Sequence, residues 1–333
     1  MRVSQLGERR LLARIQSRFA NVGRQSAEIV VGIGDDAAVI APRRNTHTVL
    51  TTDSQVEGVH FDRRWSSPED IGFRTLAVNV SDLAAMGAAS RWALVALMLP
   101  DATAVADVDG IVDGIAQLAQ RVGMTVVGGN LTRSPGPLVV DITAVGEVAP
   151  RRMLTRSGGQ PGDALYVTGT IGGAAAGLEM LRTSGSGADT CIDRYRRPEP
   201  RARLGVAIAR ARAARAAIDL SDGLADAAAQ LADASGCGVE IDAAALPIES
   251  AAREWWTAAG VDPVASALVG GDDYELLIAV PANWRGRLRH ATSRVSTPSL
   301  TRVGTLTKKA GARVLLREGL HEALPEGFQH FRA

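Results

Sequence analysis

The hydrophobic pattern of this chain switches repeatedly between two periods. "AAVIAP" (37–42) and "HTVLTTD" (47–53) are β-branched or alternate apolar with polar positions, as strands do. "PEDIGFRTLAVNVSDLAAMGA" (68–88) opens on a proline and two acids and then carries an apolar stripe, which predicts a helix. "WALVALMLP" (92–100) predicts a buried strand stopped by Pro100, and "ADVDGIVDGIAQLAQRVG" (106–123) a helix ended by Gly123. "MTVVGGN" (124–130) and "LVVDITAVGEV" (138–148) predict two more strands. The first residues, "MRVSQLGERRLLARIQSRF" (1–19), read as an amphipathic helix, with arginines where a signal peptide needs its apolar core.

"APRRMLTRSGGQPGD" (149–163) is rich in Pro, Gly and Arg and predicts a boundary, dividing the chain into domains 1–149 and 150–333. The same style then resumes. "ALYVTGT" (164–170) predicts a strand, "IGGAAAGLEMLRTSG" (171–185) a helix, and the stretch containing "RRPEPR" (196–201) a polar loop. A helix from about Arg201, a strand "AAIDLSD" (216–222), a helix "GLADAAAQLADASG" (223–236) and a strand "CGVEIDAAALP" (237–247) follow. "SALVGGDDYELLIAV" (266–280) predicts a strand entered through a glycine turn. No short tandem repeat appears, and both halves mix strands with helices. The expected class is α/β (α+β) in two domains.

Composition narrows the function. A length of 333 residues with 46% hydrophobic content allows a large core and favours about two domains. A net charge of +1 offers no basic field for nucleic acid, and 4% aromatics argue against base-stacking platforms. The longest apolar run, 92–99, is too short to span a membrane. Cys191 and Cys237 lie far apart without ligand spacing, which points to a reducing, cytoplasmic setting. Lys308 and Lys309 are the only lysines, so positive charge is almost all arginine.

Acids recur where apolar segments end. "VVGIGDDAAVI" (30–40) sets Asp35 and Asp36 side by side in apolar surroundings, where two carboxylates repel unless a cation or dense hydrogen bonding compensates. Asp53 closes a strand, with Glu57 and His60 downstream; Asp82 lies inside an apolar helix. Asp219 and Asp222 bracket Ser221 where strand gives way to helix, and Asp272, Asp273 and Glu275 follow two glycines. Singly, each has an ordinary use: Ser221 or Asp222 as a helix cap, Asp35 and Asp36 as a turn, Asp82 as a buried acid satisfied by backbone N–H groups. Together they gather at the strand ends where α/β proteins bind ligands. Convergence of several would call for hard divalent cations, and Mg²⁺ bridges carboxylates to phosphate oxygens. Zinc lacks its His/Cys cluster. No P-loop lysine and no protein-kinase motif set exists. Gly128 and Gly129 would let a backbone approach phosphate, and Arg156 has the chemistry of a bidentate phosphate contact or of a solvated surface arginine.

The ordered set "GIGDDAAVI", "TTDSQVEGVHF", "AVNVSDLAAMGA", "VVGGN", "LTRSG", "YVTGTIGGAAAGL", "IDLSDGL" and "GGDDYELL" resembles the thiamine-monophosphate kinase family, within the aminoimidazole ribonucleotide synthetase superfamily. The resemblance runs from about residue 5 to the C-terminus. It implies two α/β domains, the N-terminal sheet pairing across a homodimer. It also implies ATP and several Mg²⁺ ions, with direct transfer of the γ-phosphate to thiamine monophosphate. By resemblance Asp36, Thr51, Thr52, Asp53, Asp82, Asn130, Asp219 and Asp222 fall on metal positions. Gly129, Asn130, Arg156 and Ser221 fall on ATP-contacting positions; His60, Asp272 and Phe328 fall where the family binds thiamine monophosphate. Relatives usually carry Asp at the position of Asn130, so that metal is expected to bind more weakly, and Asp272 stands where some relatives have Glu.

The implied acceptor is a phosphate whose second pKa lies near about 6, so it is ionised without a general base, and none is expected. The transfer is expected to rest on metal held by Asp36, Asp53, Asp82 and Asp219. Two other classes of reading remain. Other superfamily members carry groups that this chain does not have at those places: selenophosphate synthetase a reactive Cys or selenocysteine and a Lys near the N-terminus, the hydrogenase-maturation protein a functional Cys at its C-terminal end. A non-catalytic nucleotide-binding module would make Asn130 the mark of lost chemistry.

Overall fold

The computed structural model describes residues 1–20, 22, 27–184, 190–293, 295 and 298–327. The chain forms two compact units, Met1–Leu83 with Ala89–Pro150, and Ala84–Ala88 with Arg151–Ala333. Among the described residues no helix is long and apolar enough to cross a membrane.

In the first unit the expected N-terminal helix is two helices, α1 (Val3–Leu6) and α2 (Glu8–Phe19). Gly7 between them sits at φ 81°, outside helical space, and breaks the run. The predicted strand at 37–42 shrinks to β2 (Val39–Ile40), paired with β1 (Ile29–Val31) in a two-stranded ribbon. The ribbon joins no larger sheet, so Val30 and Val39 stay exposed.

The centre of this unit is β3 (His47–Val56), α3 (Pro68–Ala85), β4 (Ala89–Leu99), α4 (Val105–Val122), β5 (Thr125–Arg133) and β6 (Val139–Val148). The strands form one sheet in the order β3-β6-β4-β5, with β4 parallel to β5 and the other pairs antiparallel. Alternation gives the sheet two unlike faces. Val140, Ile142 and Ala144 of β6 are buried with Ala93, Val95 and Leu97 of β4, while Asp141, Thr143 and Val145 remain half-buried.

Helices α3 and α4 meet backbone to backbone. A Cβ at Gly72 would lie 1.9 Å from the Ile111 carbonyl oxygen, and one at Gly114 would lie 2.0 Å from that of Glu69. Gly123 ends α4 as expected, in the left-handed region at φ 73°. On the outer side, Arg14 Nε donates to Asp109 Oδ1 at 2.6 Å and Arg18 pairs with Asp109 and Asp113, tying α2 to α4.

In the second unit the chain runs through β7 (Ala164–Thr168), α5 (Gly173–Ser184), α6 (Thr190–Arg196), α7 (Ala202–Ala211), β8 (Ala216–Asp219), α8 (Leu224–Ala234) and β9 (Gly238–Asp242). It continues through α9 (Ser250–Ala258), α10 (Pro263–Val269), β10 (Leu276–Val280), α11 (Arg285–Thr292), β11 (Leu300–Thr307), β12 (Arg313–Arg317) and β13 (Leu320–Ala323). The described strands form a seven-stranded sheet in the order β13-β12-β9-β11-β7-β10-β8.

Two expectations change here. Residues 266–269, read as the start of a strand, end helix α10, because the Asp262 carboxylate caps Val264 N–H and Pro263 presets the first turn. The polar loop before Arg201 holds helix α6, which buries Cys191, Ile192 and Tyr195.

The glycine contact between α3 and α4 leaves no room for a methyl group, so Gly114→Ala is expected to destabilise the chain by about 1–3 kcal/mol or more. Urea unfolding monitored by circular dichroism measures this; an unchanged midpoint would mean that the two helices separate without cost.

Candidate functional site

The period of two along β3 sorts its oxygen donors. Thr51, Asp53 and Gln55 share one face, while Thr52 and Ser54 share the other. On the first face Thr51 Oγ1 donates to the half-buried Asp82 carboxylate of α3, and Gln55 accepts from the buried Arg74 Nε at 3.3 Å. Asp53 lies between those pairs along the strand, on the same face as Thr51, whose hydroxyl meets Asp82. On the opposite face Thr52 Oγ1 lies 3.2 Å from the Ile142 carbonyl and 3.4 Å from Asp141 Oδ1. Asp141 was not among the sequence candidates, although its place at a half-buried position of an alternating strand was a legible signal.

A cavity of about 820 Å³ lies against the open face, lined by α2, by the segment holding Asp35 and Asp36, and by Gly129, Asn130 and Asp141. Asp35 and Asp36 belong to the exposed loop between β1 and β2, not to an apolar strand; Asp35 Oδ1 accepts from Asp36 N–H at 2.8 Å. At Gly129 a Cβ would stand 1.9 Å from the Val95 carbonyl oxygen, so the tight pairing of β4 with β5 admits only glycine there. Asn130 follows, opposite Ala96 and exposed. Because β3 and β5 are opposite edges of the sheet, three strand spacings or about 14 Å separate Asn130 from Asp53. Oxygen ligands sit about 2 Å from Mg²⁺, so within one chain these two residues do not share an ion directly.

His60 lies in the turn after β3. Val56 N–H donates to its Nδ1 at 3.1 Å, which leaves Nε2 to carry the proton of the neutral ring and act as a donor.

In the second unit, β8 ends at Asp219, opposite Leu276 of β10, and the next turn leads into α8. A second turn, 270–275, is strapped to it. Asp272 N–H donates to the Ser221 carbonyl at 2.7 Å, Tyr274 N–H to that of Leu220 at 3.0 Å, and Leu220 N–H to that of Glu275 at 2.8 Å. These bonds hold Asp272 and Tyr274 at φ 69° and 50°, left-handed conformations that side chains rarely adopt. Tyr274 O–H donates to Asp272 Oδ1 at 3.0 Å. Asp219, Ser221, Asp222 and Asp272 thus gather at one end of the sheet. Arg156 joins the same helix, its Nη1 donating to Gln230 Oε1 of α8 at 2.6 Å. A Cβ at Gly327 would meet the Asp222 carbonyl at 2.7 Å, so the C-terminal segment reaches this turn. Phe328 itself lies outside the described residues.

Beneath the turn lie Asp273 and Glu275, both buried. Glu275 accepts from Thr168 Oγ1 at 2.5 Å and from Arg201 Nε at 2.6 Å, with Arg194 at 3.3 Å. Asp273 accepts from Gly172 N–H at 2.6 Å and Ala174 N–H at 3.3 Å, at the N-terminus of α5. Burial outweighs the nearby Arg194 and pushes the Asp273 carboxyl up to about 7.

The donors in both units are carboxylate, hydroxyl and amide oxygens, which suit Mg²⁺. Among the described residues no group of three or more His, Cys, Asp or Glu forms a ready metal cage. Such a sparse set fits an ion that keeps waters and takes further oxygens from phosphates.

Comparison with known proteins agrees with this chemistry. Residues 34–148 match the AIR synthase related protein N-terminal domain and residues 160–317 its C-terminal domain. The chain is 38% identical to the thiamine-monophosphate kinase of Escherichia coli (strain K12), over 98% of each chain. It is 34% identical to that of Bacillus subtilis (strain 168), over 92% of this chain and 95% of the other. The crystal structure of thiamine-monophosphate kinase from Stenotrophomonas maltophilia K279a superposes with a TM-score of 0.80 at 37% identity, covering 91% and 94%. AaThiL complexed with AMPPCP and TMP superposes with a TM-score of 0.77 at 32% identity, covering 99% of each.

The position of Asp273 makes stability depend on pH. Between its ordinary value of 3.8 and about 7 the folded chain holds a proton that the unfolded chain has lost, so this group's contribution falls as pH rises through that window. The difference in melting temperature between wild type and Asp273→Asn is therefore expected to shrink, or turn in favour of the variant, from pH 5 to pH 8. A difference that stays flat across that range would contradict the raised carboxyl.

Proposed function

As the chain belongs to the thiamine-monophosphate kinase family of phosphotransferases, within the AIR synthase related proteins, we propose that it transfers the γ-phosphoryl group of ATP to thiamine monophosphate, giving thiamine diphosphate and ADP. The observation that carries this reading is similarity over nearly the whole chain to AaThiL, whose solved complex holds AMPPCP and TMP. The oxygen donors of both units supply its chemistry. In this reading residues 1–149 bind nucleotide and Mg²⁺ and make the dimer, and residues 150–333 complete the enzyme.

Asp36, Thr51, Thr52, Asp53, Asp82, Asn130, Asp219 and Asp222 would hold several Mg²⁺ ions, which neutralise phosphate charge when bound. The separation of Asn130 from Asp53 is one reason for more than one ion. Gly129 and Asn130 present main chain and an amide to the nucleotide, with Arg156 and Ser221 as further ATP contacts. His60 Nε2–H, Asp272 and Phe328 orient thiamine monophosphate. No side chain needs to remove a proton, because the acceptor phosphate is already ionised near neutral pH. Catalysis then consists of holding two polyanions in line. Homodimerisation through the N-terminal sheet is supported by β3, a ten-residue edge strand with Leu50 exposed.

Incubation of the pure protein with ATP, Mg²⁺ and thiamine monophosphate is expected to yield thiamine diphosphate. Asp53→Asn and Asp219→Asn are each expected to lower turnover by about 100-fold or more while leaving the melting temperature near wild type. Near-normal turnover in either variant at modest Mg²⁺ would remove that residue from the metal set. Absence of product from wild type would favour a nucleotide-binding module, with Asn130 as its mark.

A further inference from the structure

Helix α8 carries more than the turn at its start. Its first turn follows Ser221 and Asp222, and its half-buried side holds Asp226 and Gln230 one turn apart. Gln230 uses both ends of its amide. Oε1 accepts from Arg156 Nη1 at 2.6 Å, and Nε2 donates to the Asp226 carboxylate. A carboxylate only accepts, so Asp226 sets which way the amide faces and turns its oxygen towards the guanidinium. The backbone of Arg156 is tied to the far end of the helix, where Ser235 Oγ donates to its carbonyl at 3.2 Å and accepts from Gly159 N–H at 3.0 Å. Thr155 O accepts from Ala217 N–H of β8 at 2.9 Å.

We propose that Gln230 is a positioning residue for Arg156, oriented by Asp226, so that α8 holds the phosphate-contacting guanidinium in register with Ser221 and Asp222. This inference rests on reading Arg156 as a nucleotide contact. The physical gain is pre-organisation: an exposed arginine otherwise loses rotamer freedom when it meets a phosphate, and a neutral amide restrains it without competing for its charge. Among the described residues the Gln230 contact uses one of the five guanidinium N–H donors, leaving the others to face the phosphate.

The test compares Arg156→Ala, Gln230→Met, Gln230→Glu, Asp226→Ala and the double variant Arg156→Ala/Gln230→Met. Steady-state kinetics is measured for each substrate, and calorimetric binding of ADP with Mg²⁺ is measured separately. Gln230→Met, which keeps the length and loses both hydrogen bonds, is expected to raise the KM for ATP and the Kd for ADP about 3–10-fold. Its kcat and its KM for thiamine monophosphate are expected to stay near wild type. Asp226→Ala should act in the same direction. Gln230→Glu should weaken nucleotide binding more, because its carboxylate pairs with Arg156 and faces Asp226. In the Arg156→Ala background Gln230→Met should add nothing, whereas a merely structural residue would still lower affinity there. A rise in KM for Arg156→Ala with none for Gln230→Met overturns this inference and leaves the role of Arg156 standing. An unchanged KM for Arg156→Ala overturns both. An additive double variant also overturns the inference, and melting temperatures show whether any variant is simply unfolded.

Discussion

A carboxylate taken out of water must be compensated, and the arrangement at the end of the second sheet depends on how this is done for Asp273 and Glu275. Two arginines and a threonine converge on Glu275, and two main-chain N–H groups at the start of α5 meet Asp273. With those groups anchored, the turn that carries them holds Asp272 and Tyr274 in left-handed conformations. Asp272 is presented above it, bonded through its own backbone to the Ser221 turn. The buried pair is thus the footing of the half-buried Asp272. Arginine suits this use, since its fork satisfies both oxygens of Glu275 at once.

The first unit solves a different problem, which is to show oxygen donors on both sides of one sheet. Along β3 neighbouring residues face opposite ways, so Thr51 meets Asp82 of α3, with Asp53 on the same face of the strand, while Thr52 meets Asp141 and Thr143. Close approach of the helices beneath, through Gly72 and Gly114, packs the core under that side. The other side stays open to a cavity carrying Asp36, Gly129 and Asn130.

Chain similarity places the protein among the thiamine-monophosphate kinases, while Hydrogenase Maturation Protein HypE in complex with ATP, at 20% identity and a TM-score of 0.79, shares the fold alone. What differs among such proteins is the set of side chains mounted on a common frame. This chain mounts an amide at Asn130, a carboxylate at Asp141 on the same open face, and the Gln230–Asp226 pair on α8.

The sequence by itself determined the period of most elements up to β9, the class of fold and most of the donor chemistry. Strand alternation marked β3 and β6, Gly123 marked the end of α4, and the recurring acids at segment ends marked both turns of the second unit. Those signals are local, set by steric preference and by the cost of burying charge, and so survive in one dimension. The two-residue ribbon at β2, the helix at 263–269 and the roles of Asp273 and Glu275 were decided by tertiary structure. A strand needs a partner that local pattern does not name, a helix cap at Asp262 competes with apolar strand-like residues, and a buried acid is structural only if the arginines that meet it come from elsewhere in the chain. The distance between Asn130 and Asp53 follows from strand order, a property of the folded sheet that no spacing along the chain contains.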